Sequence, residues 1–181
     1  YEMENSFDSE LLLITLLTAA SIFLVVVFTF RSLVIPALLV LIVQCGVFIT
    51  VTVVGLQGLE IYYLALLIVE CILMGATIDY GILYTSYYRE MRESMSVRDA
   101  LIAAYRGSIH TVLTSGSIMV FVTAIVGKFF GNPTIEQICR TISIGAFSAI
   151  LLILLFLPGM LALLDRWVLP RDLRRRLYPP K

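Results

Sequence analysis

The stretch Met74-Gly75-Ala76-Thr77-Ile78-Asp79-Tyr80-Gly81-Ile82-Leu83-Tyr84 decides how this chain folds. It places one aspartate, Asp79, inside a run of apolar and small residues that is long enough to cross a bilayer. A charged side chain at membrane depth costs from about 3 kcal/mol on insertion scales to on the order of 10 kcal/mol in simulations. Residues that carry this cost commonly belong to proton or ion pathways, so the sequence predicts a functional role for Asp79.

The composition is typical of a membrane protein. Of the 181 residues, 60% are hydrophobic and 14% are charged, whereas soluble domains have about 45–50% apolar and about 25% charged residues. Thirteen basic residues balance thirteen acidic ones, and no basic patch with interleaved aromatic residues is present, so nucleic-acid binding is not expected. The chain begins at Tyr1 without an initiator methionine or a signal peptide, and we expect it to be a piece of a longer protein.

Five apolar runs are long enough to span a membrane. The first, residues 11–30, is about 30 Å long as a helix, which matches the thickness of the hydrocarbon core. We therefore predict an all-α membrane protein with a single transmembrane domain, residues 1–181, and spanning helices at about 11–30, 33–54, 61–87, 109–126 and 141–164.

Two further segments lie between or after these runs. A short amphipathic helix is predicted on the inner leaflet at 96–106, begun by a capping box at Ser96 and Asp99 and ended by Gly107. A basic tail covers 165–181, and its arginines can contact anionic membrane lipids at about 1 kcal/mol each.

The distribution of basic residues predicts the orientation. With the N-terminus outside, the inner segments hold eleven Lys and Arg residues, and the outer segments hold only Lys128 and Arg140. Cytoplasmic loops of membrane proteins carry an excess of basic residues. The sequence therefore predicts a multi-pass protein of the cell (inner) membrane, with the N-terminus of this chain outside and its C-terminus in the cytoplasm.

Small residues accompany Asp79 on its helical face. Gly75 and Ala76 lie one turn outward of it, and small residues let a second helix approach closely. We therefore expect Asp79 to point into a seam between helices, shut away from water, where it can load and unload a proton. The alternative is a structural carboxyl held protonated by hydrogen bonds. For the adjacent Tyr80, the alternatives are a relay hydroxyl and an aromatic ring that fills the seam.

Other polar residues in the apolar runs are weaker candidates. Hydroxyl groups on the fourth run can pass a proton from Asp79 or bond back to their own helix: Thr111, Thr114, Ser115 and Ser117. Glu70 faces away from Asp79, roughly 13 Å further out, and is expected either to line an outer cavity or to reach the outer water layer. His110, the one histidine, is expected at the inner mouth of the fourth run as a polar anchor or a proton exit.

The residue sets of an enzyme or a metal site are not found in the sequence. An intramembrane aspartyl protease needs two membrane aspartates and Asp79 stands alone, while no nucleophile signature surrounds His110 and the nearby serines. Cys45, Cys71 and Cys139 lie in or beside apolar runs without metal-ligand spacing, as small buried hydrophobic residues do. The chain is therefore predicted to be no enzyme and to bind no metal or cofactor.

The motif Gly75-Ala76-Thr77-Ile78-Asp79-Tyr80, followed by Tyr88-Arg89-Glu90, resembles the central helix of the MMPL (mycobacterial membrane protein large) branch of the resistance–nodulation–cell division (RND) superfamily. The ending Leu157-Pro158-Gly159 of the last run is similar too. The resemblance implies an RND-type half bundle, like the sterol-sensing domain of eukaryotic relatives. Each half of a family member has one helix, a large extracytoplasmic domain and then five helices, and this chain matches the five helices of one half. Its basic tail favours the C-terminal half.

The resemblance also implies a function. In this family the Asp-Tyr pairs of the two halves meet at the centre and relay the protons that drive export of lipids or other hydrophobic compounds. Here that role falls on Asp79 and Tyr80, and the resemblance implies protons as the coupling ion and no cofactor. The implied partners are the homologous other half, membrane lipids and a hydrophobic substrate, with a homo-oligomer of the full-length protein as a further one. The alternative function is a lipid- or sterol-sensing or scaffold module without transport, in which Asp79 is structural.

Overall fold

Long helices account for nearly all of the structure. It is a computed structural model that describes residues 2–30, 32–57 and 63–169, with the side chains of 13, 15–30, 32–57 and 69–169. The predicted all-α fold class is confirmed, since these ranges hold no strand. The helices are α1 (Glu2–Phe30), α2 (Val34–Leu56), α3 (Tyr63–Arg92), α4 (Val97–Phe129), α5 (Pro133–Leu163) and the short α6 (Asp165–Val168).

Several of these helices have the length and composition of membrane spans. In the part of the chain that the structure describes, α2, α4 and α5 are long and apolar enough to cross a membrane, and Thr15–Phe30 of α1 is a shorter apolar stretch. α3 has 30 residues, which is long enough, but it carries both Glu70 and Asp79. Apolar spanning helices are thus confirmed, whereas the count of five spans stays a prediction.

The helices extend beyond the apolar runs because polar residues continue them. α1 begins at Glu2, and α5 begins at Pro133 instead of residue 141. Asn132 caps α5, its side chain accepting a hydrogen bond from the Thr134 amide at 3.0 Å, and proline suits the first turn because it has no amide hydrogen to satisfy. Of the predicted basic tail, the residues after 169 lie outside the described part of the chain.

The amphipathic helix predicted at 96–106 is not a separate element. α4 continues through Gly107 into the apolar run as one helix. Ser96 caps it as predicted, because its hydroxyl accepts the Asp99 amide at 3.3 Å and donates to the Asp99 carboxylate at 2.7 Å. Gly107 serves close packing instead of ending the helix, since a Cβ atom there would lie 3.3 Å from Cδ1 of Tyr87.

The first turns of α4 pack on α3, and their placement on the membrane surface stays a prediction. Ala100 and Ala104 are fully buried, and the Tyr84 hydroxyl of α3 donates to the Leu101 carbonyl at 3.3 Å. A helix that contacts a protein and one that lies on a membrane show the same apolar periodicity. The periodicity therefore predicted the helix correctly but not its neighbour.

α3 and α5 contact most of the other helices, and glycine brings them close together. α3 contacts α1, α2, α4 and α5, while α5 contacts α2, α3, α4 and α6. A Cβ atom on Gly145 of α5 would lie 3.0 Å from Cγ of Leu73 on α3 and closer still to its methyl groups. The close packing expected at Gly75 and Ala76 is not formed within this chain: Gly75 has open space where a Cβ atom would lie, and Ala76 is half-buried.

Much of the remaining surface is apolar, as expected for helices in a lipid environment. Phe28 is 82% exposed and Phe48 is 73% exposed. Cys45 and Cys71 are also exposed and Cys139 is half-buried, so the expectation that all three are buried was wrong. Apolar character alone does not distinguish a side chain that faces lipid from one that faces another helix.

Gly145→Ala is expected to lower the free energy of unfolding by about 1–3 kcal/mol, because the added methyl group overlaps Leu73, which is 3% exposed and has little space to move. Gly55→Ala is the matched control, since no atom lies within 4 Å of a Cβ atom there. The control should unfold at the same temperature as the unmodified protein or slightly above it. Thermal unfolding of the purified protein in detergent measures both, and equal midpoints would contradict the close contact.

Candidate functional site

Asp79 lies on an uncovered face of α3. Its side chain is exposed, as are Gly75 one turn before it and Ser86 two turns after it. No described residue forms an ion pair or hydrogen bond with its carboxylate. The helices of this chain therefore do not form the expected seam, because those that contact α3 bury its other sides, at Met74 and Ile78 for example. A seam with protein outside this chain stays a prediction. A buried, hydrogen-bonded structural carboxyl is likewise not what this chain forms by itself.

Asp79 lies near the middle of α3, far from both ends of the helix. Asp79 lies about 24 Å from the start of α3 and about 20 Å from its end, at 1.5 Å per residue. Ionisable residues at such depth almost always face the interior of a helix bundle or a water-filled cavity, because lipid offers no hydrogen-bond partner. We therefore expect further protein or water, rather than lipid, to cover this face in the membrane.

Tyr80 connects α3 to α4. Its hydroxyl donates to the Oγ atom of Ser115 at 3.3 Å, somewhat longer than the usual O–H···O distance of about 2.5–3.0 Å. Gly116 leaves room for this contact, since a Cβ atom there would lie 3.8 Å from the Tyr80 hydroxyl and 2.7 Å from Cγ1 of Ile150. The structure thus brings one of the four hydroxyl candidates to the tyrosine of the predicted relay.

The other hydroxyl candidates have different surroundings. Thr114 donates to the His110 carbonyl of its own helix at 2.6 Å, the back-bonding that competes with a relay role. Thr111 is exposed and Ser117 is half-buried. The His110 side chain is exposed and lies well inside α4, because the helix begins at Val97. Relay roles for these residues stay predictions.

Glu70 is buried between α1 and α3. It is 6% exposed, and its Oε1 atom accepts a hydrogen bond from the Thr15 hydroxyl at 2.6 Å. Carboxylates form such short hydrogen bonds because their charge strengthens the interaction. Glu70 therefore does not extend into the outer water layer, and its role in an outer cavity stays a prediction.

A buried ionic cluster at the C-terminal end of α3 was not predicted from the sequence. Arg92 pairs with Asp165 of α6, with Nη2 to Oδ2 at 3.0 Å and Nε to Oδ1 at 3.1 Å, and both side chains are less than a tenth exposed. The Tyr88 hydroxyl donates to the same carboxylate. Burial and this hydrogen bond raise the pKa of Tyr88, which lies beyond the predicted span, so it stays a donor at ordinary pH.

One sequence signal pointed to this cluster. Asp165 is the first of two acids in a tail rich in arginine. The count of basic residues, by contrast, uses Arg92 only to predict orientation. A neighbouring contact ties α1 to the same region: Arg89 donates to the Phe30 carbonyl at 3.1 Å and lies 5.4 Å from the centre of the Phe30 ring. The C-terminal end of α3 is thus attached to both α1 and α6.

Within the described residues, no group of three or more His, Cys, Asp or Glu side chains comes close enough to hold a metal ion. The polar groups of the site are therefore Asp79, Tyr80 and Ser115 on the open side of the bundle, and the Arg92–Asp165 cluster at one end. The first group can exchange protons. The second holds helices together.

Asp165→Asn is expected to lower the free energy of unfolding by about 3–5 kcal/mol, because it leaves the buried Arg92 without its counter-charge. Glu93→Gln removes the same charge at an exposed site of the next turn and should have little effect. Replacing both partners, Arg92→Met with Asp165→Leu, should restore most of the stability. Chemical denaturation of the purified protein compares the variants, and an Asp165→Asn midpoint equal to that of Glu93→Gln would contradict a buried pair.

No solved structure matches the chain. The sequence model of the MMPL family matches residues 1–179, which includes all six helices and the uncovered face of α3. The match agrees with the apolar spanning helices and indicates a multi-pass membrane module of the transporter type, in a family whose members are transporters rather than enzymes. The resemblance seen in the sequence is confirmed: the chain belongs to the MMPL family of the RND superfamily.

Proposed function

We propose that this chain is the transmembrane half of an exporter of lipids or other hydrophobic compounds, driven by the proton-motive force. Asp79 and Tyr80 form its proton relay. The observation that carries the proposal is a carboxylate on an uncovered face of α3 that has no partner among the described residues. Such a group has no structural task within the described chain, and membership in the MMPL family supports the transporter class.

Protonation changes what Asp79 tolerates around it. The neutral carboxyl can lie against apolar surface at modest cost, whereas the ionised form requires water or hydrogen-bond donors. Binding or loss of a proton therefore changes the preferred arrangement of the protein or water that covers the open face of α3. Tyr80 and Ser115 extend the relay toward α4, since each hydroxyl can donate one hydrogen bond and accept another.

The partner proposed for the open face is the homologous other half of the transporter. Gly75 offers open space for a second helix to approach, as small residues do in membrane interfaces. Both α3 and α4 also carry exposed apolar side chains, which are Ile72 on α3 and Ile118 and Val122 on α4. The proposal keeps the orientation given by the basic residues, with this N-terminus outside and the C-terminus in the cytoplasm of an inner-membrane protein.

One observation favours the alternative of a lipid-sensing or scaffold module. An apolar groove of about 660 Å³ runs along α2, and Leu41, Cys45 and Phe48 contribute to its walls. An acyl chain suits such a surface, since it contributes apolar area without polar groups. Proton dependence discriminates between the two functions: export that ignores the proton gradient, together with ordered lipid in this groove, would favour the sensing module.

Asp79→Asn is expected to reduce proton-driven export by the complete transporter to background, because the amide keeps the shape of the side chain but cannot ionise. Expression and the unfolding midpoint should not change, since the side chain is exposed within this chain. Efflux from energised vesicles measures the effect. Glu90→Gln, at an exposed position beyond the predicted span of the same helix, is the matched control and should keep export. Normal export by Asp79→Asn would end the proposal.

Gly75→Leu tests the partner on the open face. Within this chain the larger side chain meets no atom within 4 Å at its Cβ position, so the unfolding midpoint of the chain alone should not fall. In the complete transporter it should hold the second half away and lower export. Gly55→Leu, also in open space, is the control. Export by Gly75→Leu equal to that of the control would contradict a helix packed at this position.

A further inference from the structure

A polar cavity of about 390 Å³ lies at the end of the bundle where α4 ends and α5 begins. Three helices form its walls, and Gln57, at the C-terminal end of α2, marks the level at which the helices leave their apolar part. The cavity contains none of the relay candidates, so its role is independent of the proposed function. Its polar side chains are Gln57, Thr123, Lys128, Glu136, Arg140 and Ser143.

Contacts between α4 and α5 hold the cavity walls in place. These two helices share the most extensive contact in the bundle. A Cβ atom on Gly127 would lie 3.1 Å from Cβ of Cys139, so the backbones approach closely beside the cavity. The Ser143 hydroxyl donates to the Val120 carbonyl across the two helices at 3.1 Å. The charged side chains of the cavity therefore extend from fixed backbone positions.

The charges of the cavity suit an anion. Lys128 and Arg140 are the two basic residues assigned to the outer side, and Glu136 is the one acid among the lining residues. No ion pair within 4.0 Å joins any of these three to a described residue, so their charged groups remain available to a ligand. The Arg guanidinium binds two phosphate oxygens at once, and the Lys ammonium adds a point charge.

The remaining polar groups agree with this assignment. The Thr123 hydroxyl donates to the Met119 carbonyl at 2.7 Å and the Ser143 hydroxyl donates to α4. Their protons are therefore already used, and the cations must supply the main attraction. The Gln57 amide contributes neutral donors at the rim.

We propose that this cavity binds the phosphate-bearing headgroup of a membrane phospholipid. Phospholipid suits the site better than free phosphate because Ala124 and Ile144 also line the cavity, and because Phe129 and Phe130, 79% and 57% exposed, lie at the same connection. Aromatic side chains concentrate at the membrane–water interface, where the phosphate groups of phospholipids lie. The volume is within the range of about 300–1,000 Å³ found for ligand sites.

Native mass spectrometry of the purified protein in detergent tests the proposal, with three probes: phosphatidylglycerol, a diacylglycerol with the same acyl chains, and inorganic phosphate. The unmodified protein should retain phosphatidylglycerol. The double variant Lys128→Gln/Arg140→Gln should bind it at least about tenfold more weakly, the effect of one lost charge-assisted hydrogen bond. Arg98→Gln/Arg106→Gln removes the same charge from exposed positions elsewhere on α4 and should bind normally.

Three outcomes would overturn the proposal. The first is equal retention of phosphatidylglycerol by the two double variants, and the second is retention of the diacylglycerol as strongly as of the phospholipid. The third is inorganic phosphate displacing the lipid at similar concentration, which would assign the cavity to a free anion. All four replaced side chains are exposed, so unchanged unfolding midpoints should accompany the expected result. The assay does not involve Asp79, and its failure would leave the export proposal intact.

Discussion

A carboxylate within or beside an apolar bundle must find a partner, and this requirement organises the whole chain. Two of three such acids meet it within this chain. Glu70 is buried and accepts a hydrogen bond from Thr15, and Asp165 is buried against Arg92. Asp79 alone of these three has no partner among the described residues and lies on an uncovered face. Because the chain provides for two acids and leaves the third open, the partner of the third is expected outside this chain.

The sequence predicted the helices well because their signal is local. A run of about 20 apolar residues is sufficient to indicate a membrane helix, and the Ser96 cap is recognisable within four residues. The break at Gly107 was wrong because a glycine that ends a helix and one that admits a neighbouring ring look the same in sequence. Tyr87 determines which of the two it is, and its position relative to Gly107 depends on the tertiary fold.

The candidate site was only partly predictable for the same reason. The type of residue at 79 and the hydroxyl groups on α4 were visible in the sequence, but which hydroxyl meets Tyr80 depends on how α3 and α4 pack. Small residues occur at several places on α3 and α5. Gly145 packs tightly against Leu73, whereas Gly75 faces open space. The Arg92–Asp165 pair joins residues 73 positions apart, a separation over which charge patterns give no pairing information.

The continuity of α4 has a mechanical consequence. At 33 residues it is about 50 Å long, longer than the hydrocarbon core, and it tilts as a single rod rather than as two jointed pieces. Ser115 lies near the midpoint of α4. A displacement of Ser115 through its contact with Tyr80 therefore tilts the helix and moves its two ends in opposite directions. A displacement of Ser115 by the proposed relay would therefore move both the end capped by Ser96 and the end that carries Lys128.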